Sequence, residues 1–392
     1  MTWPTVTINQ LNQQQGHINE IERTLLFIGY ATTDLNESSE LITLNSQSDI
    51  SGLLSHASPA LRANVLAAQR NAGQNWQAYA VLMSPDSDLK NWVPEVLAVQ
   101  DVISVEGCVV VADINNLSTG RDLINAFSTL RNELIGKLGR WMWFILTVCA
   151  AAKMPPSTEG KDPGLTWAQY LTFLANLENG MAAPGVQLVP SLWGNEAGAL
   201  GGRLCHRAVT IADSPARVKT GALIGLGADS ADLPADAVST ELTLATLRAM
   251  HDLRYSVPMW YSDYEGYYWS DGLTLDAKGG DFQAIEYLRI VDKAARRIRL
   301  RAIAKIADRS MNSTPASIAA HKTYFAATLR EMSRSTQING VTFPGEIEPP
   351  KDDAVSIVWT NKEEVAVYLV ITPYGSPKSI SVGIMLDATL EG

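Results

Sequence analysis

Short apolar runs alternate with helical patterns through the first half of the chain, and this alternation constrains the fold more than any other feature. Apolar runs of strand length occupy residues 23–31, 76–83 and 105–113, and helical patterns occupy residues 58–71 and 122–138. Strands and helices that alternate in this way are typical of a sheet covered by helices, because each helix must bury its apolar face. The sequence therefore predicts an α/β domain.

The chain divides into four predicted parts. Its 392 residues exceed the usual size of one domain. An acidic, turn-rich segment at 226–238 predicts a domain boundary, and a segment rich in Gly and Pro at 338–353 predicts an extended linker. The predicted parts are an N-terminal arm at 1–22, an α/β domain at 23–235, a second domain at 236–340, and a linker with a C-terminal β arm at 341–392.

A row of cations marks the predicted helix that begins after Gly279 and Gly280. The row consists of Arg289, Lys293, Arg297, Arg301 and Lys305, and Arg296 widens it. Like charges at this spacing repel by about 0.2–0.5 kcal/mol per pair. The opposite arc is apolar and consists of Leu288, Val291, Ala295, Ile298, Ala302 and Ile306. The pattern predicts a buried apolar face and a basic face that meets either solvent or an acidic partner.

Charge is unevenly distributed along the chain. Residues 281–340 hold 11 Lys and Arg against 5 Asp and Glu, although the whole chain has a net charge of −10. This asymmetry indicates an electrostatically complementary partner, while the acidic total disfavours direct binding of nucleic acid. The next predicted helix, 314–334, carries a rival set of cations: Lys322, Arg330 and Arg334.

Two stretches near the C-terminus alternate in the manner of β-strands. The first contains Val365, Val367, Leu369 and Ile371, and the second contains Ile380, Val382, Ile384 and Leu386. Residues 373–377 predict the turn between them. Both faces of the first strand are apolar and need cover, which either this chain or a neighbouring copy could supply. Val6 and Ile8 give the N-terminal arm a similar short strand pattern.

Motifs for catalysis, cofactors and membrane insertion are missing from the sequence. No phosphate-binding G-x-x-x-x-G-K-[ST] occurs, the five His residues are scattered, and the three Cys residues lack zinc-ligand spacing. GALGGR at 198–203 resembles a dinucleotide fingerprint only loosely. We find no signal peptide, and the longest apolar run, 141–152, is too short to span a bilayer. The sequence predicts no cofactor and no membrane insertion.

An aromatic segment at 258–275 is the best candidate for chemistry. Residues 260–271 combine six aromatic side chains with the carboxylates of Asp263, Glu265 and Asp271. Aromatic rings beside carboxylates are typical of a site that binds or hydrolyses glycans. The alternative is a β-hairpin with aromatic cross-strand pairs, which turns at 263–266.

Several segments together resemble the contractile tail sheath proteins of bacteriophages and their relatives in R-type pyocins and type VI secretion. The similar segments are 23–54, 60–83, 186–204, 267–298 and 338–345, and they follow one another in the family's order. Each segment is loosely similar by itself, so the shared order carries the resemblance. Leu273, before Thr274, departs from the Arg that is usual at this turn in the family.

The resemblance implies a structural protein with an outer α/β domain and an inner α+β assembly domain. It further implies sixfold rings stacked around an inner tail tube, N- and C-terminal arms that add strands to neighbouring subunits, and contraction without a nucleotide. The implied partners are further copies of the chain, the tube protein, and baseplate and tail terminator proteins. The implied location is the virion tail, assembled in the cytoplasm of the bacterial host. The cation row at 289–305 is the expected contact with the tube, and a glycan-binding or glycan-hydrolysing protein is the alternative function.

Overall fold

The computed structural model describes residues 21–33, 41–155, 163–227 and 232–384. The predicted arm strand with Val6 and Ile8 lies outside the described residues, as does Leu386.

A six-stranded sheet forms the centre of the first part of the chain. Its strands are β1 Thr24–Tyr30, β2 Leu41–Asn45, β3 Gln77–Met83, β4 Gly107–Ile114, β5 Trp143–Val148 and β6 Val186–Pro190. The order is β2-β3-β1-β4-β5-β6, and every pair is parallel except β2 with β3. The central strands are apolar on both faces because helices cover both sides of the sheet. The predicted α/β fold is confirmed.

Nine α-helices occur in the described part of the chain. They are α1 Ile50–Leu53, α2 Pro59–Ala72, α3 Trp92–Val102, α4 Leu117–Glu133, α5 Trp167–Glu178, α6 Glu196–Leu204, α7 Leu244–Asp252, α8 Ile285–Ile303 and α9 Pro315–Met332. One core joins α3, α4, α5 and α7 to the sheet, and a second core joins α1, α2 and α6 to its other face. Helix α4 begins earlier than the predicted residue 122, because the Asn116 side chain accepts the backbone N–H groups of Ser118 and Thr119.

The glycines of GALGGR allow two helices to pack closely. A Cβ at Gly198 would lie 1.8 Å from the backbone oxygen of Asn64 on α2, and a Cβ at Gly202 would lie 2.4 Å from that of Ala68. The Asn64 side chain accepts the Gly198 N–H at 2.7 Å. These glycines therefore serve helix packing, which explains the small residues without a dinucleotide.

A third core begins within α8 and extends to Ile371. It contains Ile290 and Ala294 of α8, Phe325 and Leu329 of α9, and the hairpin of β11 Val355–Trp359 with β12 Val365–Leu369. Two smaller hairpins pair β7 Pro258–Tyr261 with β8 Tyr264–Trp269 and β9 Thr336–Ile338 with β10 Val341–Phe343. Side chains between Leu242 and Leu275 still pack in the first core. The change of core thus comes later than the predicted boundary at residue 235.

Candidate assembly surfaces

The buried face of α8 carries charge. The Arg289 side chain is 1% exposed, and its guanidinium donates to Glu106 Oε1 at 2.6 Å and to Oε2 at 2.8 Å. The backbone N–H of Arg23 donates to the same carboxylate at 2.6 Å. Burial alone would raise the pKa of Glu106, but Arg289, Arg296 and the Arg23 N–H together outweigh burial and lower it. Arg289 therefore connects α8 to the start of β4.

Two further ion pairs continue this buried face. The Arg131 guanidinium donates to Asp292 Oδ2 at 3.0 Å and to Oδ1 at 2.6 Å. Arg296 donates to Glu22 at 2.8 Å and to the backbone oxygen of Trp141 at 3.2 Å. Burial raises the pKa of Asp292, and Arg131 opposes that rise. The expectation that all six cations share one basic face is wrong for Arg289 and Arg296, because each is buried against an acidic residue of another part of the chain. Periodicity within α8 could not reveal these partners, which are far away in sequence.

The predicted apolar arc of α8 is buried only at its beginning. Leu288 lies in the core of the sheet, and Val291 and Ile298 are half-buried. Ala302 is exposed, and Ile306 beyond the helix end is 75% exposed. The helix projects past the cores that hold its first turns, so periodicity alone predicted the wrong extent of burial.

The other cations of the row lie nearer to the surface. Lys293 donates to Glu346 at 2.6 Å and Lys305 to Asp308 at 2.7 Å. Both Arg301 and Lys305 lie over the Tyr324 ring, at 5.2 Å and 5.4 Å from its centroid. Arg297 is half-buried. Among the rival cations on and after α9, Lys322 is half-buried, whereas Arg330 and Arg334 are exposed.

The C-terminal strands pair differently from the prediction. Strand β12 is antiparallel to β11, with Val367 opposite Ile357, so its partner precedes it in the chain. Val365, Val367, Leu369 and Ile371 pack against the third core of their own chain. The predicted hairpin between this strand and residues 380–386 is wrong for the described part of the chain, where residues 376–384 form no strand.

Lys378 reaches from this C-terminal segment into a pair of buried carboxylates. Its Nζ lies 2.6 Å and 2.5 Å from the two oxygens of Asp271 and 2.9 Å from Glu286 Oε1. Burial would lower the pKa of Lys378, but Glu286 and Asp271 raise it. Burial raises the pKa of Glu286 although Lys378 opposes the rise. We call Asp271 and Glu286 the lysine socket. Neither Glu286 nor Lys378 was among the site residues predicted from the sequence, although Lys378 is the only charged residue between Val365 and Leu386.

The aromatic segment is a β-hairpin, the alternative considered above. Trp260 pairs with Tyr267 across the strands, and the turn falls at residues 262–263, with Asp263 at a φ of 61°, rather than at 263–266. Asp263 and Glu265 are exposed near the turn, whereas Asp271 is buried in the lysine socket. The carboxylates of the glycan hypothesis thus occupy different environments.

The ionisable side chains of Glu196 and Cys108 are buried individually and do not form a cluster with the groups described above. Burial raises the pKa of Glu196 to about 7, against the opposing effect of the Trp193 and Gly194 N–H groups that it accepts. Burial also raises the pKa of the Cys108 thiol. Within the described ranges, His, Cys, Asp and Glu form no group of three that could hold a metal ion. The same ranges contain no helix with the length and hydropathy needed to cross a bilayer.

Comparison with known sequences identifies the family. The DUF2586 N-terminal domain matches residues 3–273, and the DUF2586 C-terminal domain matches residues 281–389. The chain belongs to the DUF2586 family. It is also 46% identical over 385 residues to the protein assigned as the tail sheath protein of Haemophilus phage HP1 (strain HP1c1), with 98% of each chain covered. Its role is therefore that of a structural tail sheath protein of a phage and not that of an enzyme.

A solved structure shows the same fold. The contracted helical sheath of the anti-feeding prophage matches 99% of this chain and 100% of its own, with a TM-score of 0.55 and 13% identity. A sheath tail protein from Desulfitobacterium hafniense matches 94% of this chain and 100% of its own, with a TM-score of 0.46 and 11% identity. The tail-sheath fold of this DUF2586 protein agrees with the resemblance read from its sequence.

Proposed function

We propose that this chain polymerises as stacked sixfold rings around an inner tail tube and contracts to drive the tube through the bacterial envelope. The main support is the match to a phage tail sheath protein over 98% of both chains. The likeness to a helical sheath in its contracted state supports the same role at the level of fold. Contraction would be a rigid-body rearrangement of subunits and would need no nucleotide.

The C-terminal segment supports exchange of arms between subunits. Ile380, Val382 and Ile384 are 77%, 78% and 91% exposed, although they alternate like one face of a strand. An apolar strand left in water gains free energy by pairing with a sheet edge of another subunit, which supplies main-chain hydrogen bonds and apolar cover. We propose that this segment and the N-terminal arm with Val6 and Ile8 are the arms that link neighbouring copies. A head-to-tail exchange of this kind builds an open helix.

The exposed end of α8 is the proposed contact with the tube. Arg297, Arg301 and Lys305 lie there, beside the exposed side chains of Ile303 and Ile306. Partly solvated charges give a weaker contact than a dry apolar patch, and the contact must release when the sheath contracts. The rival location is Arg330 and Arg334 with Lys322.

The arms are tested by negative-stain electron microscopy of the protein expressed alone. Wild-type protein is expected to form rods or cogwheel discs. A variant with Ile380→Ser, Val382→Ser and Ile384→Ser should stay as small particles, because its strand no longer gains apolar cover. The matched control is Val102→Ser, Ile224→Ser and Val238→Ser, which changes apolar residues that are also exposed, at 77%, 56% and 65%. Normal rods from the arm variant would contradict arm exchange, and small particles from the wild type would contradict the sheath function.

The tube contact is tested by charge reversal. Arg301→Glu with Lys305→Glu should prevent co-assembly with the tube protein and leave tube-free polymers intact. Arg330→Glu with Arg334→Glu is the comparison at the rival location. Both variants are checked for an unchanged thermal midpoint. Tubes that are sheathed normally by the first variant but not by the second would move the contact to α9.

The remaining partners and the location follow from the proposed function. A sheath has two ends, and we expect baseplate proteins to bind one end and tail terminator proteins to bind the other. We propose that the subunits assemble in the cytoplasm of the bacterial host and then remain in the virion tail.

A further inference from the structure

The lysine socket is built to hold a cation. Asp271 is 5% exposed and Glu286 is 3% exposed, so both carboxylates are largely withdrawn from water. Asp271 also accepts the Gly272 N–H at 2.8 Å. Among the described residues, neither oxygen of Glu286 accepts a well-aligned hydrogen bond. Two buried carboxylates are unfavourable without a counter-ion, and the ammonium of Lys378 supplies it for both.

The chain segment that carries Lys378 is otherwise lightly attached. Within the described part of the chain, the last main-chain hydrogen bond before it runs from the Glu348 N–H to the Thr372 oxygen at 2.8 Å, in the antiparallel bridge that places Pro373 opposite Ile347. Residues 379–384 are exposed and form no strand. Gly375 has no atom within 4 Å of the place where a Cβ would lie, which leaves room for the segment to turn. Lys378 thus anchors a segment that makes few other contacts with the described residues.

The position of the anchor explains why a second copy is the expected donor. Lys378 comes two residues before Ile380, the first of the three exposed apolar side chains of the arm. An arm that crosses to a neighbour carries Lys378 toward that neighbour, and every copy offers the same socket. A contact made within one chain and remade between identical chains is the pattern of domain swapping.

We propose that the lysine socket of each assembled subunit binds Lys378 of a second copy of this chain, which replaces the subunit's own Lys378. This inference rests on the proposed exchange of arms, and it assigns the receptor residues for the arm. The socket fixes the register of the arm, because a charge pair in a buried site tolerates little displacement.

The test is zero-length cross-linking of assembled wild-type protein with a carbodiimide, which joins a lysine amine only to a carboxylate in contact with it. On a denaturing gel, wild-type rods should give a ladder of covalent oligomers, and mass spectrometry should find Lys378 joined to Asp271 or Glu286. Lys378→Arg keeps the charge but removes the amine, so its rods should give at least a tenfold weaker ladder. Lys362→Arg is the matched control and should leave the ladder unchanged.

A second measurement distinguishes links within a chain from links between chains. Two tagged chains of different size are co-expressed: Lys378→Arg, which keeps the socket, and Asp271→Asn with Glu286→Gln, which keeps the lysine. A cross-link at this site can then form only between the two chains. Its formation supports the inference, whereas rods that contain both chains but no such link overturn it.

Failure of the inference is distinguishable from failure of the proposed function. If wild-type rods form but contain this cross-link only within single chains, or lack it, the socket inference fails and the sheath function stands. If no polymer forms under the microscope, the proposed function fails and the socket inference falls with it.

Discussion

At the scale of single residues, the ion pair of Arg289 with Glu106 holds α8 against the start of β4. Both side chains are almost completely buried. A buried charge that loses its partner typically costs about 3–5 kcal/mol, whereas an exposed pair contributes about 0–1 kcal/mol. The orientation of α8 therefore depends on a residue that is distant in sequence.

Removal of one partner from this pair should destabilise the fold. We expect Arg289→Met to lower the free energy of unfolding by about 3–5 kcal/mol, because Glu106 is left buried and unpaired. Arg289→Met with Glu106→Leu should recover part of the loss. Urea denaturation measures both, with Lys90→Ala of the exposed Lys90–Asp88 pair as the control. A loss as small as that of the control would contradict this account.

Glu196 should make stability depend on pH. Burial raises its pKa from 4.5 to about 7, so between these values the folded chain holds a proton that the unfolded chain has lost. The contribution of Glu196 to the free energy of unfolding is therefore greatest below pH 4.5. It falls by about 3 kcal/mol in total as pH rises toward 7. Glu196→Gln should flatten that part of the profile of unfolding free energy against pH. Parallel profiles for variant and wild type would show that Glu196 is ionised in the folded chain.

At the scale of elements, the contact between α2 and α6 requires glycine. Gly198→Ala places a methyl group against the backbone of Asn64, where no side chain can move aside. Overpacking of this kind typically costs about 1–3 kcal/mol, and sometimes more. Gly136→Ala is a matched control in a helical turn, since no atom lies within 4 Å of its Cβ position. Thermal unfolding should show a lower midpoint for the first variant and no loss for the second.

The two faces of α8 show which structural features hydrophobic periodicity predicts and which it does not. The spacing of cations and apolar residues predicted the helix, and it occurs at Ile285–Ile303. Periodicity could not predict that Arg289 and Arg296 lie inside, because burial of a cation is decided by an acid on another element. It also predicted burial of Ile306, which lies beyond the reach of the cores.

At the scale of the whole molecule, α8 couples the sheet to the third core. Its Leu288 packs on the sheet, and its Ile290 packs in the third core with α9. The pair of Asp292 with Arg131 joins the same helix to α4. The described part of the chain should therefore unfold as one unit.

Loss of the Asp292 charge should uncouple the unfolding of the third core from the unfolding of the sheet. In wild-type protein, we expect amides of β4 and of α9 to lose protection from hydrogen exchange at the same urea concentration. In Asp292→Asn, α9 should open at lower urea than β4, because Arg131 no longer holds α8 against the sheet. Separate transitions in the wild type, or coincident ones in the variant, would contradict the coupling.

Many of the elements and the fold class were predictable from local sequence. Apolar runs of strand length and helical periodicity are local properties, so β1, β3, β4 and α2 were predictable from neighbouring residues. The ordered similar segments also led to the tail sheath family, which the full-length relative establishes.

Tertiary structure alone decided which charges are buried and which strands pair. Arg289 finds Glu106, β12 pairs with β11, and Lys378 reaches Asp271 and Glu286, and each partner is set by the path of the chain in space. The free energy of a charge or a strand edge depends on its partner and on the water excluded around it, and neither is a property of local sequence.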